Sequence, residues 1–231
     1  MRFLLDHTER APEIPALARG YSEQMMLRAY LRWHRHSITR QRVRGIEWLT
    51  TRRDQSRGVV LSFMHHNRYD GLFASLARVG APCLVLTAPE VLRPDTDPAL
   101  KQHVRVVGHL GQVMAATGGT EAIAEMLRPG VTLAIASDVP GHTPVTFLGR
   151  RVLASFGAAR IATLTNSPVV LVTVRRDARG SYLQLEQPLE PKDFASPGEL
   201  LDEMLNRHSE AVLDWPEALD VPTARWGIVE H

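Results

Sequence analysis

Cysteine is nearly absent from this chain: Cys83 is the single one among 231 residues. A lone thiol makes no intrachain disulfide, and its setting, Ala81-Pro82-Cys83-Leu84-Val85-Leu86, reads as a small hydrophobe of the interior. Long apolar runs are absent too. Nothing approaches the ~20 residues that cross a bilayer, and Met1-Arg2-Phe3-Leu4-Leu5-Asp6-His7 has too short an apolar core for a signal peptide. The expected location is the cytoplasm, either free or peripheral to the inner face of the cell membrane. No internal repeat, low-complexity tract or linker divides the chain. Thr117-Gly118-Gly119-Thr120 lacks the lysine and spacing of a phosphate-binding loop, and with no nucleic-acid motif present, no nucleic-acid partner is expected.

What is present is a globular composition, 44% apolar and 23% charged, with length for one domain or at most two. The net charge is only +2 but unevenly placed. Residues 16–44 set Arg19, Arg28, Arg32, Arg35, Arg40, Arg42 and Arg44 against Glu23 alone, whereas from Ser181 onward acids far outnumber bases. A basic N-terminal end suits an anionic partner: a membrane surface, an acidic carrier protein or a nucleic acid. Residues 15–40 read as a helix, with Leu17, Tyr21, Met25, Met26, Tyr30 and Trp33 at near-helical spacing. The preferred reading packs that stripe on the core; the alternative lays it in a lipid headgroup layer.

Apolar strands are expected at 59–64, 83–87, 104–107, 131–136 and 169–174, with helices at about 69–79, 119–127, 156–165 and 197–213. A strand or turn is expected at 43–49, a loop at 89–98, a loop with a short strand at 140–151, an edge strand at 182–185, and an irregular tail. Strands alternating with helices imply one α/β domain, with a largely parallel central sheet covered by helices on both faces. It is preceded by an N-terminal basic helix: 1–44 forms the helical segment and 45–231 the α/β core.

The chemistry concentrates after the first strand, in His65-His66-Asn67-Arg68-Tyr69-Asp70-Gly71. An imidazole delivered to a strand's carboxyl end, with a carboxylate five residues on, is suited to general-base work. A carboxylate on one ring nitrogen fixes the tautomer and leaves the other free to take a proton. The bland alternative is that these residues merely open a surface helix. Asp138 ends another apolar strand, and working sites of such sheets lie outside the carboxyl ends of the strands.

Together with Gly45 to Leu49, Leu127-Arg128-Pro129-Gly130-Val131, Val145 to Arg150, Gly157 to Ala162, Ser167-Pro168-Val169-Val170 and Tyr182 to Leu185, the His65-x4-Asp70 motif resembles the lysophospholipid acyltransferase superfamily. The similar branch is that of the lipid A late acyltransferases and phosphatidylinositol mannoside acyltransferases. The resemblance runs in order along nearly the whole chain. It implies an acyl thioester donor on acyl carrier protein or coenzyme A, a lipid or small-molecule acceptor, and neither metal nor cofactor. It also implies His65 as base, Asp70 as its orienting partner, and Asp138 near the acceptor or the catalytic histidine. Phe147, Gly149 and Arg150 fall in the loop after Asp138; with His66, Asn67, Arg68 and His142 they are the candidate substrate-binding residues. Backbone N–H groups after His66, aided by Arg150 or Arg151, are candidate oxyanion donors. No hydrophobic anchor precedes the domain, and 104–117 lacks the family's arginine-containing segment, with Arg105 and His109 near its place.

Other classes remain open. His65-His66-x3-Asp70-Gly71 also spells the signature of condensation domains and chloramphenicol-type acetyltransferases, where His66 would be the base. His65, His66, Asp70, Asp138 and His142 would supply nitrogen and oxygen ligands for a metal-dependent hydrolase, and a non-catalytic lipid- or carrier-binding module is the third class. His7, His34, His36, His103, His208 and His231 read as surface or core residues, and Trp33, Trp48, Trp215 and Trp226 as packing.

Overall fold

The computed structural model describes residues 1–228; His231 lies outside them. The chain opens with helices α1 (Arg2–Leu5), α2 (Ile14–Trp33) and α3 (Arg35–Ile38), followed by β1 (Arg42–Arg44), β2 (Val59–Phe63), α4 (Leu72–Arg78) and β3 (Leu84–Thr87). Then come α5 (Pro98–Val107), β4 (Gln112–Ala115), α6 (Gly119–Ala124), β5 (Thr132–Ala136), and the hairpin of β6 (Pro140–Phe147) and β7 (Arg150–Ala154). The chain continues through α7 (Gly157–Thr165), β8 (Val169–Asp177), β9 (Gly180–Leu185), α8 (Pro197–Asp214) and β10 (Gly227–Ile228).

One sheet of seven strands runs β1-β9-β8-β2-β5-β3-β4, parallel throughout except for the β8–β9 pair. Pleating divides its apolar residues between two cores. Val60, Leu133, Ile135, Val169 and Leu171 meet α7 and α8 through Ile161, Leu200 and Met204. Val59, Leu61, Phe63, Ala134, Val170 and Val172 meet α4 and α5 through Leu72, Phe73, Leu76 and Val107. Helices therefore cover both faces, as the alternation of elements implies. Phe73 is almost completely buried, and truncating such a ring to alanine costs about 3–5 kcal/mol.

Two differences from the sequence reading have local causes. Residues 104–107 form the last turn of α5 rather than a strand. Asp97 caps that helix by accepting the Leu100 N–H (2.9 Å), and Pro98 fits its first position. A cap worth about 1 kcal/mol and burial of Val106 and Val107 outweigh the β preference of three valines. The neighbouring strand lies further on, at β4. Likewise β1, at the end of the expected helical segment 1–44 and overlapping the strand or turn expected at 43–49, pairs with β9 and belongs to the sheet.

The hairpin turns on Leu148 (φ 51°) and Gly149 (φ 77°), both left-handed, joining the paired residues Phe147 and Arg150. That is the geometry a two-residue hairpin loop requires. Phe147 points inward and stacks on Trp226, with centroids 4.5 Å apart.

Candidate active site at the carboxyl edge of the sheet

Register brings the two principal site residues together. β2 and β5 are parallel neighbours in which Phe63 faces Ala136. The Ser137 N–H donates to the Phe63 carbonyl (2.8 Å), continuing the ladder one step. Two residues beyond each paired end stand His65 and Asp138. The carboxylate makes a two-point contact: Oδ1 lies 2.8 Å from His65 Nδ1, and Oδ2 accepts the His65 backbone N–H at 2.9 Å. Asp138 is fully buried, which works to raise its pKa, but the charge and hydrogen bonds of His65 outweigh burial and hold it below the ordinary carboxylate value. An ionised Asp138 takes the Nδ1–H form of His65 and leaves Nε2 bare.

Asp70 does not reach His65. The turn Tyr69–Gly71 carries its carboxylate away from β2 and under α5 and α2, where it meets His103 Nδ1 and the Arg32 guanidinium (3.1 Å). Gly71 permits this packing, because any Cβ there would sit 2.0 Å from the Ile38 carbonyl oxygen. Asp70 is buried, which works to raise its pKa, yet His103, Arg32 and Arg28 outweigh that and lower it. The expected His65–Asp70 pair is thus replaced by two pairs, His65–Asp138 and His103–Asp70.

The Tyr69 ring separates them, its centroid 4.5 Å from that of His65 and 5.7 Å from that of His103. Both imidazoles line one small pocket of about 40 Å³, walled by Phe63, Phe73, Val85, Val91, Val104 and Val107. Its apolar walls set the two imidazoles in a lining that suits an apolar group beside proton-transfer groups.

Above Tyr69 lies a charged cluster that sequence reading missed. The Arg28 guanidinium sits 5.4 Å from the Tyr69 ring centroid, and both Arg28 and Arg225 hydrogen-bond Asp220. The Asp220 backbone N–H donates to the His65 carbonyl (2.8 Å), and the Asn67 N–H to the Ala218 carbonyl (2.8 Å). The expected irregular tail is therefore fastened along the loop that carries His65. Residues 28 and 32 share one helical face through their four-residue spacing; no spacing in the sequence links either to 70 or 220.

The remaining candidates divide. His66 turns to the opposite side, fully buried, its Nε2 2.8 Å from the Trp215 carbonyl oxygen. Burial pushes its pKa down to about 4. Asn67 takes a left-handed backbone (φ 51°) that redirects the chain, and its side chain reaches Ser181 (3.3 Å). With Arg68 and Arg28 it lines a separate small cavity beneath α2. Phe147 is core, Gly149 is a hairpin turn, and Arg150 anchors the N-terminal segment through Asp6 (2.5 Å) and the Phe3 carbonyl (3.0 Å). His142 is exposed on β6. The expected loop after Asp138 is instead this hairpin, so these four do not join the His65 pocket.

Of the expected oxyanion donors, the Asn67 N–H already bonds the Ala218 carbonyl (2.8 Å), Arg150 is held in the N-terminal segment, and Arg151 is exposed on β7. Among the described residues no three His, Cys, Asp or Glu side chains converge as a metal-ligand set, and His66 and His142 point away from the three others offered for one. Cys83 is buried, its thiol pushed up to about 12. The expected core stripe of α2 is split: Leu17, Tyr21 and Met25 are half-buried, Leu17 against the core, while its other members turn outward. Met26, Tyr30 and Trp33 are 67%, 61% and 58% exposed, while Arg28 and Arg32 face inward because Asp220 and Asp70 wait there. No helix of the described residues is long and apolar enough to cross a membrane.

No protein-family model matches the sequence, and none of the curated proteins matches it significantly. Among solved structures the chain is similar to the crystal structure of the 1-acyl-sn-glycerophosphate (LPA) acyltransferase PlsC from Thermotoga maritima. The two share 16% identity with a TM-score of 0.48, over 85% of this chain and 79% of that one.

Proposed function

We propose that the protein is an acyltransferase that moves an acyl group from a thioester to a hydroxyl or amine. The observation that carries this reading is the two-point His65–Asp138 contact beside an apolar pocket. His65 Nε2 takes the proton of the acceptor. The freed oxygen or nitrogen attacks the thioester carbonyl carbon, and the resulting oxyanion collapses with cleavage of the C–S bond. The imidazolium proton then passes to the departing sulfur, so one thiol is released for each ester or amide formed. A placed general base contributes about 10²- to 10⁴-fold. Asp138 holds the tautomer and stabilises the imidazolium, the part the motif alone assigns to Asp70.

The motifs that resemble the lysophospholipid acyltransferases favour an acyl chain on acyl carrier protein or coenzyme A, and the valine-lined pocket suits its alkyl portion. They favour a lipid-like acceptor of the kind used by the lipid A and phosphatidylinositol mannoside branch. The exposed Met26, Tyr30 and Trp33 of α2, near exposed Arg19 and Arg35, suit a peripheral position on an anionic membrane face. A condensation-type role for His66 finds no support, since both its burial and its bond to Trp215 remove it from the pocket.

The test is thiol release from acyl-coenzyme A and acyl-carrier-protein donors, with and without a lipid extract. Extract-dependent release by the wild type, lost in His65→Ala, is expected. Equal release by the two proteins would contradict the proposal.

A further inference from the structure

Two histidines, not one, face the pocket with a buried carboxylate behind them. His65 on the loop after β2 has Asp138; His103 on α5 has Asp70. Their side chains are similarly open, at 13% and 15% exposure, while both carboxylates are at 0%. Each Nδ1 is engaged by its carboxylate, so each ring has only Nε2 left for chemistry. The groups facing His103 are Asp70 and Tyr69 from the loop, Arg32 and Arg28 from α2, and His65 across the Tyr69 ring. Arg32 neutralises part of the Asp70 charge, and Asp70 Oδ2 has no hydrogen-bond partner among the described residues.

We propose that His103 is a second catalytic residue, the hydrogen-bond donor of an acid–base couple in which His65, on the other side of the Tyr69 ring, is the base. This rests on the acyl-transfer reading. Bare His65 Nε2 accepts the proton of the acceptor, while protonated His103 donates a hydrogen bond from Nε2 to the thioester carbonyl oxygen as it becomes an oxyanion. When that oxyanion collapses, the C–S bond breaks and the sulfur takes the proton held by His65. His103 keeps its proton throughout, so the couple ends the cycle in the state in which it began. The role adds a charged donor across the pocket from the loop, whose His66 and Asn67 N–H groups are bonded to Met64 and Ala218.

Removing the donor gives the kinetic test: His103→Gln should lose about 10²- to 10³-fold in kcat with little change in KM. A well-folded variant that keeps the wild-type kcat, or one whose loss lies in KM alone, would overturn the proposal.

Ring nitrogen-15 resonances of the wild-type protein, titrated with S-(2-oxododecyl)pantetheine as a non-cleavable ketone analogue of the donor, decide the matter without turnover. Shifts in both His65 and His103 are expected. A shift in His65 alone overturns the role of His103 and leaves the acyl-transfer reading standing. No shift in either overturns both.

Discussion

His65 and His66 are adjacent in sequence and opposite in fate. His65 opens onto the pocket with a charged partner, whereas His66 turns away from the pocket and is sealed against Trp215. His208 on α8 shares that second environment: it is buried, 2.8 Å from Ser62, with its pKa also driven to about 4 by burial. The difference is one of compensation. A buried imidazole beside neutral oxygens is held uncharged, since desolvation opposes its proton and outweighs the pull of Asp138 nearby. An imidazole bonded to a buried carboxylate at a pocket mouth can gain a proton without leaving a lone charge in the interior. The turn that follows β2, closed by the His66 N–H on the Met64 carbonyl (2.7 Å), thus makes one histidine a candidate for proton transfer and its neighbour a packing residue.

The largest expected effect separates the neighbours directly. His65→Ala should reduce thioester-dependent transfer by about 10³- to 10⁴-fold while leaving the melting temperature within a few degrees. His66→Ala should retain most of the rate per folded molecule but lose stability. It leaves the Trp215 carbonyl without its partner at about 1–3 kcal/mol, with a cavity term in addition. Rate assays and urea melts on both variants check this; an inactive but stable His66→Ala would reverse the comparison.

A second test concerns pH and stability. His66 and His208 have folded pKa values of about 4 against 6.5 for an ordinary imidazole. Between those values the unfolded chain binds protons that the folded chain refuses, so stability is present above pH 6.5 and is lost as pH falls toward 4. Either ring accounts for roughly 3 kcal/mol of that loss. His208→Gln retains a donor for Ser62 without titrating, and should flatten the decline in urea midpoint over this interval. An unchanged slope would remove His208 as a source of the acid sensitivity.

The smallest effect falls on α2. Of its basic stretch, Arg28 and Arg32 are committed inward, and Arg42 and Arg44 pair with Asp177, leaving Arg19, Arg35 and Arg40 exposed. Each exposed charge near an anionic surface contributes about 1 kcal/mol, screened over about 10 Å at 0.1 M salt. Replacing the three with glutamine should weaken co-sedimentation with anionic vesicles several-fold and leave soluble thioester cleavage unchanged. Binding indifferent to lipid charge would assign the exposed Met26, Tyr30 and Trp33 face another role.

Periodicity and strand ends make the α/β sheet, and the placement of His65 and Asp138 at its edge, legible in the amino-acid sequence. Apolar strands announce themselves, and parallel neighbours must bring their ends together. The pairing of carboxylates with histidines is hidden there, because it depends on the direction in which the Tyr69–Gly71 turn carries Asp70 and on α5 bringing His103 from 33 residues away. His103 itself sits beside a valine-rich run that reads as a strand. The Phe147–Arg150 stretch misleads for a different reason: its residues pack a hairpin and fasten the N-terminal segment, which no local spacing reveals.

The central claim is that Asp138, from the neighbouring strand, is the carboxylate that makes His65 a base. Acyl transfer from an acyl thioester by Asp138→Asn, compared with wild type at matched folded concentration, tests it most directly. The amide keeps the shape but cannot stabilise the imidazolium or enforce the Nδ1–H tautomer. The account predicts a rate about 10³- to 10⁴-fold lower with the melting temperature changed by only a few degrees. A well-folded Asp138→Asn protein that transfers acyl groups at nearly the wild-type rate would contradict it.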